Sequence, residues 1–317
     1  MKRYFACLLT LMLLPSVGCR TESASHSAAG FACDTVITVT AYAPQETVDA
    51  TLKICTDYDR VFSKTVDGSD VWNMNHAEGA SVEVQPETAS LLGLAVEIGA
   101  ASDGAFDVSI APASALWDFL ADDPALPDGD ALSSAAAKVD YRNIEIDGNT
   151  VTLKNGAEID LGGIAKGYIA DRVAEYLRSQ GVTSACINMG GNVIVIGSKP
   201  DGSPWTVGVR DPNGTPENSA AVLELSDSAV VTSGVYERGF DLNGVRYHHI
   251  LDPKTGWPVQ NGLASVTIVG ERSDLCDALS TACFVLGEQR SVPLLRRYGV
   301  RAIFLYTDGT RSDHSAE

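Results

Sequence analysis

The stretch from Asp160 to Gly167 (DLGGIAKG) constrains this chain most, because it places paired glycines and a lysine between a strand and a helix. Residues 150–153 before it alternate as strands do, and apolar residues after it recur at helical spacing up to Gly181, a good helix C-cap. A helix N-terminus offers unpaired N–H groups, and Lys166 adds a positive charge. The stretch therefore predicts a site for anionic oxygen, although a tight turn with a surface lysine explains the glycines alone equally well.

The first eighteen residues are typical of a lipoprotein signal peptide. Lys2 and Arg3 precede an apolar run that is short for a transmembrane helix, and small residues then lead to Cys19. We expect lipid, palmitate included, on Cys19; an ordinary secretory signal is the alternative. Residues 19–32 would then be the lipidated cysteine and a flexible tether, and residues 33–310 the folded domain. This organisation predicts a lipid-anchored protein at the extracytoplasmic face of a bacterial membrane.

The charge of the chain limits its partners. The formal net charge is −18, and it becomes −20 when Lys2 and Arg3, the only charged residues of the signal, are removed. Nucleic acid is therefore not expected as a partner. An acidic surface also repels a phosphate ligand at long range, and a bound divalent cation would offset this repulsion locally.

The pattern of elements favours an α+β fold, a mixed layered domain, because helices and strands do not alternate regularly. Apolar spacing predicts helices over residues 47–62, 86–101 and 273–286, and the second half of the chain is rich in short strands. Residues 121–137, with many small and acidic side chains, are predicted to be a surface excursion. The five cysteines beyond Cys19 show no metal or disulfide spacing, so most are expected to be buried, with one disulfide left possible.

Three further motifs carry residues suited to chemistry. His249 stands at a strand end before an Asp-Pro turn, where a histidine can move a proton near neutral pH, although paired histidines are more often structural. Asp277 and Thr281 are four residues apart and would share one helix face, as magnesium ligands or as a cap and a back-bonded hydroxyl. Asn192 follows a second pair of glycines, whose flanking amides could bind a nucleotide.

Six motifs in this order resemble those of the ApbE family, the FAD:protein FMN transferases. The resemblance extends from about Cys33 to Asp308. The motifs are Phe106-Asp107-Val108-Ser109-Ile110-Ala111-Pro112, Asp160 to Gly167, Asn188-Met189-Gly190-Gly191-Asn192, Thr232-Ser233-Gly234, His249 to Gly256, and Asp277 to Thr281.

The resemblance implies an enzyme that transfers FMN from FAD to a serine or threonine hydroxyl of a target flavoprotein. The product would be a phosphoester-linked FMN, AMP would leave, and Mg2+ would be required. The implied fold has two lobes, with the nucleotide site in the cleft between them. The implied acceptor is a flavoprotein subunit or domain of a membrane redox complex.

The resemblance also implies roles for individual residues. Gly163, Asp277 and Thr281 would hold the metal, Gly163 through its carbonyl, and His249 and Lys166 would be catalytic. FAD would be bound by Thr65, Phe106, Asp107, Val108, Asp160, Lys166, Asn192, Ser233 and Leu251. Thr65 takes the place where some members carry an aromatic residue, which predicts weaker stacking on the flavin.

Two other functions remain open from the sequence. The same site could act as a magnesium-dependent FAD pyrophosphatase, in which water replaces the acceptor hydroxyl and FMN and AMP are released. A non-catalytic FAD-binding lipoprotein is the second alternative. The presence of Asp277, Thr281 and His249 argues against pure binding.

Overall fold

One antiparallel sheet of eight strands forms the centre of the molecule, and the computed structural model describes residues 24–215 and 218–315. In spatial order its strands are β1 (Ser25–Ala32), β2 (Thr35–Tyr42), β6 (Ala185–Met189), β7 (Asn192–Ile196), β10 (Ser228–Gly234), β13 (Leu263–Gly270), β14 (Arg301–Tyr306) and β15 (Arg311–His314). Every neighbouring pair is antiparallel. The two glycines after β6 make the tight turn into β7, with φ of +61° at Gly190 and +100° at Gly191.

Helices cover one face of this sheet. The helices of the chain are α1 (Gln45–Phe62), α2 (Asp70–Asn75), α3 (Pro86–Ala101), α4 (Ala111–Ser114), α5 (Gly129–Ala136), α6 (Ala165–Ser179), α7 (Ser273–Leu286) and α8 (Glu288–Tyr298), with a 3-10 turn at Tyr141–Asn143. The apolar faces of α1, α6 and α7 pack with the alternate inward residues of the sheet into the main core. Helix α7 is buried along most of its length because it lies between the sheet, α6 and α8.

A two-stranded hairpin covers part of the opposite face. Its strands are β8 (Trp205–Arg210) and β9 (Ser219–Leu225), and their inward side chains form a second core with outward residues of β7, β10, β13 and β14. The domain is thus layered as helices, sheet and hairpin. This observation confirms the predicted α+β class.

A third, smaller core lies beside the main one. It joins α4 and α5 to the hairpin of β11 (Gly239–Leu242) and β12 (Val245–His248), with Trp117 stacked among aromatic side chains at its centre. Leu132 of α5 is fully buried there, so the prediction of a surface excursion over residues 121–137 is wrong for α5. A separate small sheet contains β3 (Val82–Glu83), β5 (Thr150–Leu153) and β4 (Ile144–Asp147).

The N-terminal boundary of the domain also differs from the prediction. Residues 25–32, expected to belong to a flexible tether, form β1, which pairs with β2 along its whole length. Small buried residues such as Ala28 and Ala32 let this strand pack on α1. Such residues indicate a strand less clearly in the sequence than a run of large apolar residues does. The whole of strand β15 likewise lies beyond residue 310, the predicted end of the domain. Cys19 and the predicted signal peptide lie outside the described residues.

The cysteines and the helices bear on two further expectations. Cys55, Cys276 and Cys283 are buried, Cys33 and Cys186 are partly buried, and none of the five forms a disulfide. Within residues 24–215 and 218–315, the structure contains no helix with the length and apolar character needed to cross a bilayer.

Candidate active site

The glycine turn before α6 lies directly against α7. A Cβ atom placed on Gly163 would be 3.2 Å from the Phe106 ring and 3.7 Å from the Thr281 hydroxyl oxygen. Three predicted site residues from distant parts of the sequence therefore meet at this turn. The N–H groups of Gly163 and Lys166 donate no hydrogen bond within the described part of the chain, so they are open to an anion.

Helices α6 and α7 cap each other at their N-termini. The Asp277 carboxylate accepts a hydrogen bond from the Gly167 N–H at 2.8 Å. In return, the Asp171 carboxylate of α6 accepts from the N–H groups of Ser273 at 3.1 Å and Asp274 at 2.8 Å. These reciprocal caps satisfy orphan donors at both helix starts and fix Asp277 and Thr281 relative to Gly163.

Gly167 allows this close approach because it has no side chain. A Cβ atom there would be 2.3 Å from the Ser273 carbonyl oxygen and 2.8 Å from the Asp274 Cα, both backbone atoms that cannot rotate away. The close packing explains why a glycine stands inside the first turn of α6, where it lowers helix propensity.

A chain of hydroxyl groups orients Thr281. The Ser280 hydroxyl donates to the Asp277 carbonyl at 2.8 Å, and Ser233 lies 2.7 Å from Ser280 and 3.2 Å from Thr281. Each hydroxyl has one proton, so Ser233 must donate to Ser280, and Thr281 must donate to Ser233. This order leaves one lone pair of the Thr281 oxygen without a hydroxyl donor, so that lone pair is available to a cation.

The Asp160 carboxylate stabilises the glycine turn. It accepts from the Gly162 N–H at 2.9 Å and pairs with the Lys64 ammonium at 2.6 Å. Burial alone would raise the pKa of Asp160, but Lys64 and the hydrogen bonds from Gly162 and Ser114 outweigh it and hold this pKa below its usual range. Asp160 is therefore ionised at neutral pH. Sequence reasoning missed Lys64, which has no motif of its own.

His249 lies at the end of β12, in the field of Lys166. The ring nitrogen Nδ1 is 3.3 Å from the Arg238 carbonyl oxygen, and the backbone N–H of His249 donates to the same oxygen at 3.2 Å. Burial and the cations Lys166 and Arg238 lower the pKa of His249 to about 4, although the bond to the Arg238 carbonyl acts in the opposite direction. The ring is thus neutral at pH 7, and an Nδ1–H that donates to Arg238 leaves the lone pair on Nε2.

His248, by contrast, is a structural histidine. Its Nε2 is 2.9 Å from the Val259 carbonyl oxygen, its Nδ1 accepts from the Ile250 N–H, and its ring meets Phe284 edge-on. Burial lowers its pKa to about 4 as well. Since both of its nitrogens have partners, His248 has no free base to offer.

The loop that contains Phe106, Asp107 and Val108 runs beside the glycine turn. The Val108 carbonyl accepts from the Asp160 N–H at 2.8 Å. The Asp107 carboxylate accepts three hydrogen bonds, two from Ser109 and one from the Tyr141 N–H. Both of its oxygens therefore hold the loop in place, and the Phe106 ring and the loop backbone stand beside the glycine turn.

The other predicted FAD contacts differ in their surroundings. Asn192, at the start of β7, is buried, and its amide Nδ2 makes no hydrogen bond in the described structure. The Leu251 side chain belongs to the third core, so only its backbone could touch a ligand. Thr65 is exposed next to Lys64, and its hydroxyl contacts Ser63 at 3.1 Å.

The structure thus brings the glycine turn, Phe106, Asp277 and Thr281 close together, and Ser233 joins them through Thr281. Lys64 and Asp171 are the positioning residues that the sequence did not indicate. Asp171 falls five residues after Lys166 in the opening motif's helix, but only the packing of α7 against α6 shows what it holds.

Comparison with known proteins agrees with this arrangement. Residues 33–304 match the ApbE family. The chain belongs to the ApbE family. It is 37% identical to a protein of Treponema pallidum (strain Nichols) named FAD:protein FMN transferase, over 92% of this chain and 88% of the relative.

Solved ApbE structures share the fold. The ApbE protein of Thermotoga maritima superposes with a TM-score of 0.84 at 35% identity, covering 91% of this chain and 96% of that one. The flavinyl transferase ApbE of Pseudomonas stutzeri, in its apo form, gives a TM-score of 0.81 at 29% identity, with 92% and 94% covered. Family and fold are therefore settled over nearly the whole described chain.

Proposed function

We propose that this protein is a magnesium-dependent transferase that moves FMN from FAD to a serine or threonine hydroxyl of a flavoprotein. The observation that carries the proposal is the approach of the Thr281 hydroxyl to Gly163, within 3.7 Å of where a Cβ on Gly163 would stand, next to the hydrogen bond from Gly167 to Asp277. Relatives named FAD:protein FMN transferase support the same reaction.

The donor set fits Mg2+. Asp277 uses one carboxylate oxygen on Gly167, and its other oxygen makes no hydrogen bond within the described residues. Thr281 has a free lone pair, and the Gly163 carbonyl lies at the same turn. Mg2+ prefers oxygen ligands and keeps several waters or phosphate oxygens, so one carboxylate, one hydroxyl and one carbonyl are a sufficient protein contribution. Bound there, Mg2+ would neutralise charge on the phosphates of FAD.

Lys166 and the start of α6 would hold the pyrophosphate of FAD. The Lys166 ammonium donates to the Gly162 carbonyl at 3.4 Å, a long bond that a phosphate oxygen can replace. The free N–H groups of Gly163 and Lys166 add fixed dipoles that favour negative charge. Stabilisation of charge on the reacting phosphate is the largest contribution expected of these groups.

His249 would act as the general base. The acceptor hydroxyl oxygen attacks the phosphorus of the FMN half, its proton passes to Nε2 of His249, and the bond from that phosphorus to the bridging oxygen breaks. The bridging oxygen leaves with AMP. A neutral histidine with its lone pair on Nε2 is the form that this step requires.

The flavin half of FAD would lie against Phe106 and the adjoining backbone. The unpaired Asn192 amide is a buried donor that a ligand would satisfy, which supports its assignment to the nucleotide site. Ser233 contacts Thr281 directly, so it would act on the metal ligand rather than on FAD alone.

The cellular setting is part of the same proposal. The signal pattern ending at Cys19 supports a lipid anchor on the extracytoplasmic face of a bacterial membrane. A membrane redox complex with a flavin-bearing subunit would then supply the acceptor at the same surface.

The experiment incubates the full-length protein in detergent with FAD, Mg2+ and a flavin-free acceptor domain that retains its serine or threonine. Intact-mass spectrometry should show one added FMN phosphoester on the acceptor, and AMP should appear in equal amount. Asp277→Ala should give neither product, and an acceptor without its hydroxyl should stay unmodified. FMN and AMP released without an adduct would establish a pyrophosphatase, and intact bound FAD a binding protein.

A further inference from the structure

Two large apolar side chains are exposed at the tip of the first hairpin. Phe31 of β1 is 67% exposed and Val36 of β2 is 62% exposed, and the two residues face each other across the strands. The turn between them, Cys33 and Asp34, has φ of +52° and +54°. We name Phe31, Val36 and this turn the hairpin tip. Cross-strand pairing alone does not require such exposed apolar area, because polar β-branched residues fill these positions equally well.

The strand face that carries this pair bears no charge. On β1 and β2 the same face contains Ser27, Ala29, Thr38 and Thr40, with Ser27 bonded to Thr40 at 2.8 Å. The second core, under the β8–β9 hairpin, includes no residue of β1 or β2. At the end of this face away from the tip, Tyr42 packs against Trp205 of β8. In a chain with 41 acidic and 23 basic residues, the uncharged, exposed end with Phe31 and Val36 suits a neutral, partly apolar protein surface.

The hairpin tip is joined to the candidate active site at two points. Asp34 forms an ion pair with Arg238 at 3.4 Å, and the Arg238 carbonyl is the partner of His249. The Val36 carbonyl accepts from the Gly190 N–H at 3.2 Å, in the turn that leads into Asn192. The tip therefore lies at the same end of the sheet as the proposed base.

We propose that the hairpin tip docks the acceptor protein, with Phe31 and Val36 as its apolar anchors. The inference rests on the proposed function, which requires an acceptor hydroxyl at Nε2 of His249. A stable protein interface buries about 800 Å² on each partner, which corresponds to a circular patch with a radius of roughly 15 Å. An acceptor centred on His249 would therefore also cover the Cys33–Asp34 turn, because the ion pair of Asp34 with Arg238 holds this turn close to His249.

The test compares full-length variants in the transfer assay with a flavin-free acceptor domain. Phe31→Thr and Val36→Thr together remove the anchors and keep residues that favour strands. The KM for the acceptor domain should rise roughly tenfold or more, with kcat at saturation within about twofold, because anchors of this kind dominate interface affinity. FAD affinity and the thermal midpoint should stay at wild-type values.

Val222→Thr is the matched control. Val222 is also a strand valine, 63% exposed, but it lies on β9, in the hairpin that packs over β7, β10, β13 and β14 rather than at the tip of β1 and β2. Its KM should equal that of wild type. An equal rise in KM for this variant would show a general effect of exposed valines and overturn the proposal.

Other outcomes separate the competing occupants. If the double variant keeps the wild-type KM but no longer binds vesicles of anionic and neutral phospholipid, the tip contacts lipid and the proposal is wrong. If it keeps the KM but loses a dimer seen for wild type by sedimentation, the tip pairs two copies and the proposal is equally wrong. If wild type itself does not modify the acceptor, the proposed function has failed, and docking fails with it.

Discussion

Gly167→Ala tests the contact on which the candidate site depends. The new methyl group would lie 2.3 Å from the Ser273 carbonyl oxygen, whereas an ordinary contact needs 3.4–4 Å. The carbonyl belongs to the backbone at the start of α7 and cannot turn away, so α6 and α7 must separate by about 1 Å. That movement stretches the 2.8 Å hydrogen bond from Gly167 to Asp277.

The expected cost follows from three terms. Forcing a methyl group into a packed contact costs about 1–3 kcal/mol, and weakening a hydrogen bond to a charged group costs about 1.5–3 kcal/mol. Alanine returns about 1 kcal/mol through its higher helix propensity. The net loss is about 1.5–5 kcal/mol, or roughly 3–10 °C in the thermal midpoint of a domain of this size.

Differential scanning calorimetry without metal measures this loss, and the transfer assay measures its consequence. Because a displacement of about 1 Å at a catalytic group can cost about a hundredfold in rate, transfer should fall by that order. Gly93→Ala is the control, since Gly93 is an exposed residue of α3 with no atom within 4 Å of its added methyl, and it should stabilise the protein slightly. A Gly167→Ala protein as stable and active as wild type would refute the reasoning.

Three further substitutions test individual groups. Asp277→Asn keeps an acceptor for the Gly167 N–H but removes the charge, so the Mg2+ dissociation constant in isothermal titration should rise at least about tenfold; unchanged affinity would place the metal elsewhere. His249→Gln should lower kcat by about 10²–10⁴ with FAD affinity retained. Because the pKa of His249 is about 4, the acid limb of wild-type kcat/KM should fall near pH 4, and a limb near 6.5 would contradict this assignment. Burial and the neighbouring Asp274 raise the pKa of Asp171 to about 7, so the folded state holds a proton that the unfolded state has lost. Taken alone, this carboxyl makes the metal-free protein less stable as pH rises from about 4 to about 7, whereas the lowered pKa values of His248 and His249 make it more stable. In thermal melts over this range, Asp171→Asn should therefore gain stability with rising pH more steeply than wild type.

Much of the fold could be predicted from local patterns. The helices at Pro86–Ala101 and Ser273–Leu286 have the bounds that periodicity predicts. The sequence does not indicate strand β1 because its inward positions include no large apolar residue, only Ala28 and Ala32 being buried. It does not indicate α5 because small and acidic residues resemble a loop, while one leucine, Leu132, anchors the helix.

Much of the candidate site could also be listed from the sequence, but its working geometry could not. The motifs and helical spacing identified Gly163, Asp277 and Thr281, and the resemblance assigned them to one metal. The ion pair of Lys64 with Asp160 links residues 96 positions apart, and the cap from Asp171 to Ser273 links residues 102 apart. No local pattern encodes such pairs, because they arise only when separate elements pack.

The sequence by itself determined the family, the layered α+β class and the chemical types of the candidate site residues, because these depend on motif order and on local periodicity. Only the tertiary structure decided which nitrogen of which histidine is free, how the hydroxyl chain points, and why Gly167 must lack a side chain. Those properties depend on distances of a few tenths of an ångström between elements far apart in the chain. Packing fixes such distances, and sequence spacing does not.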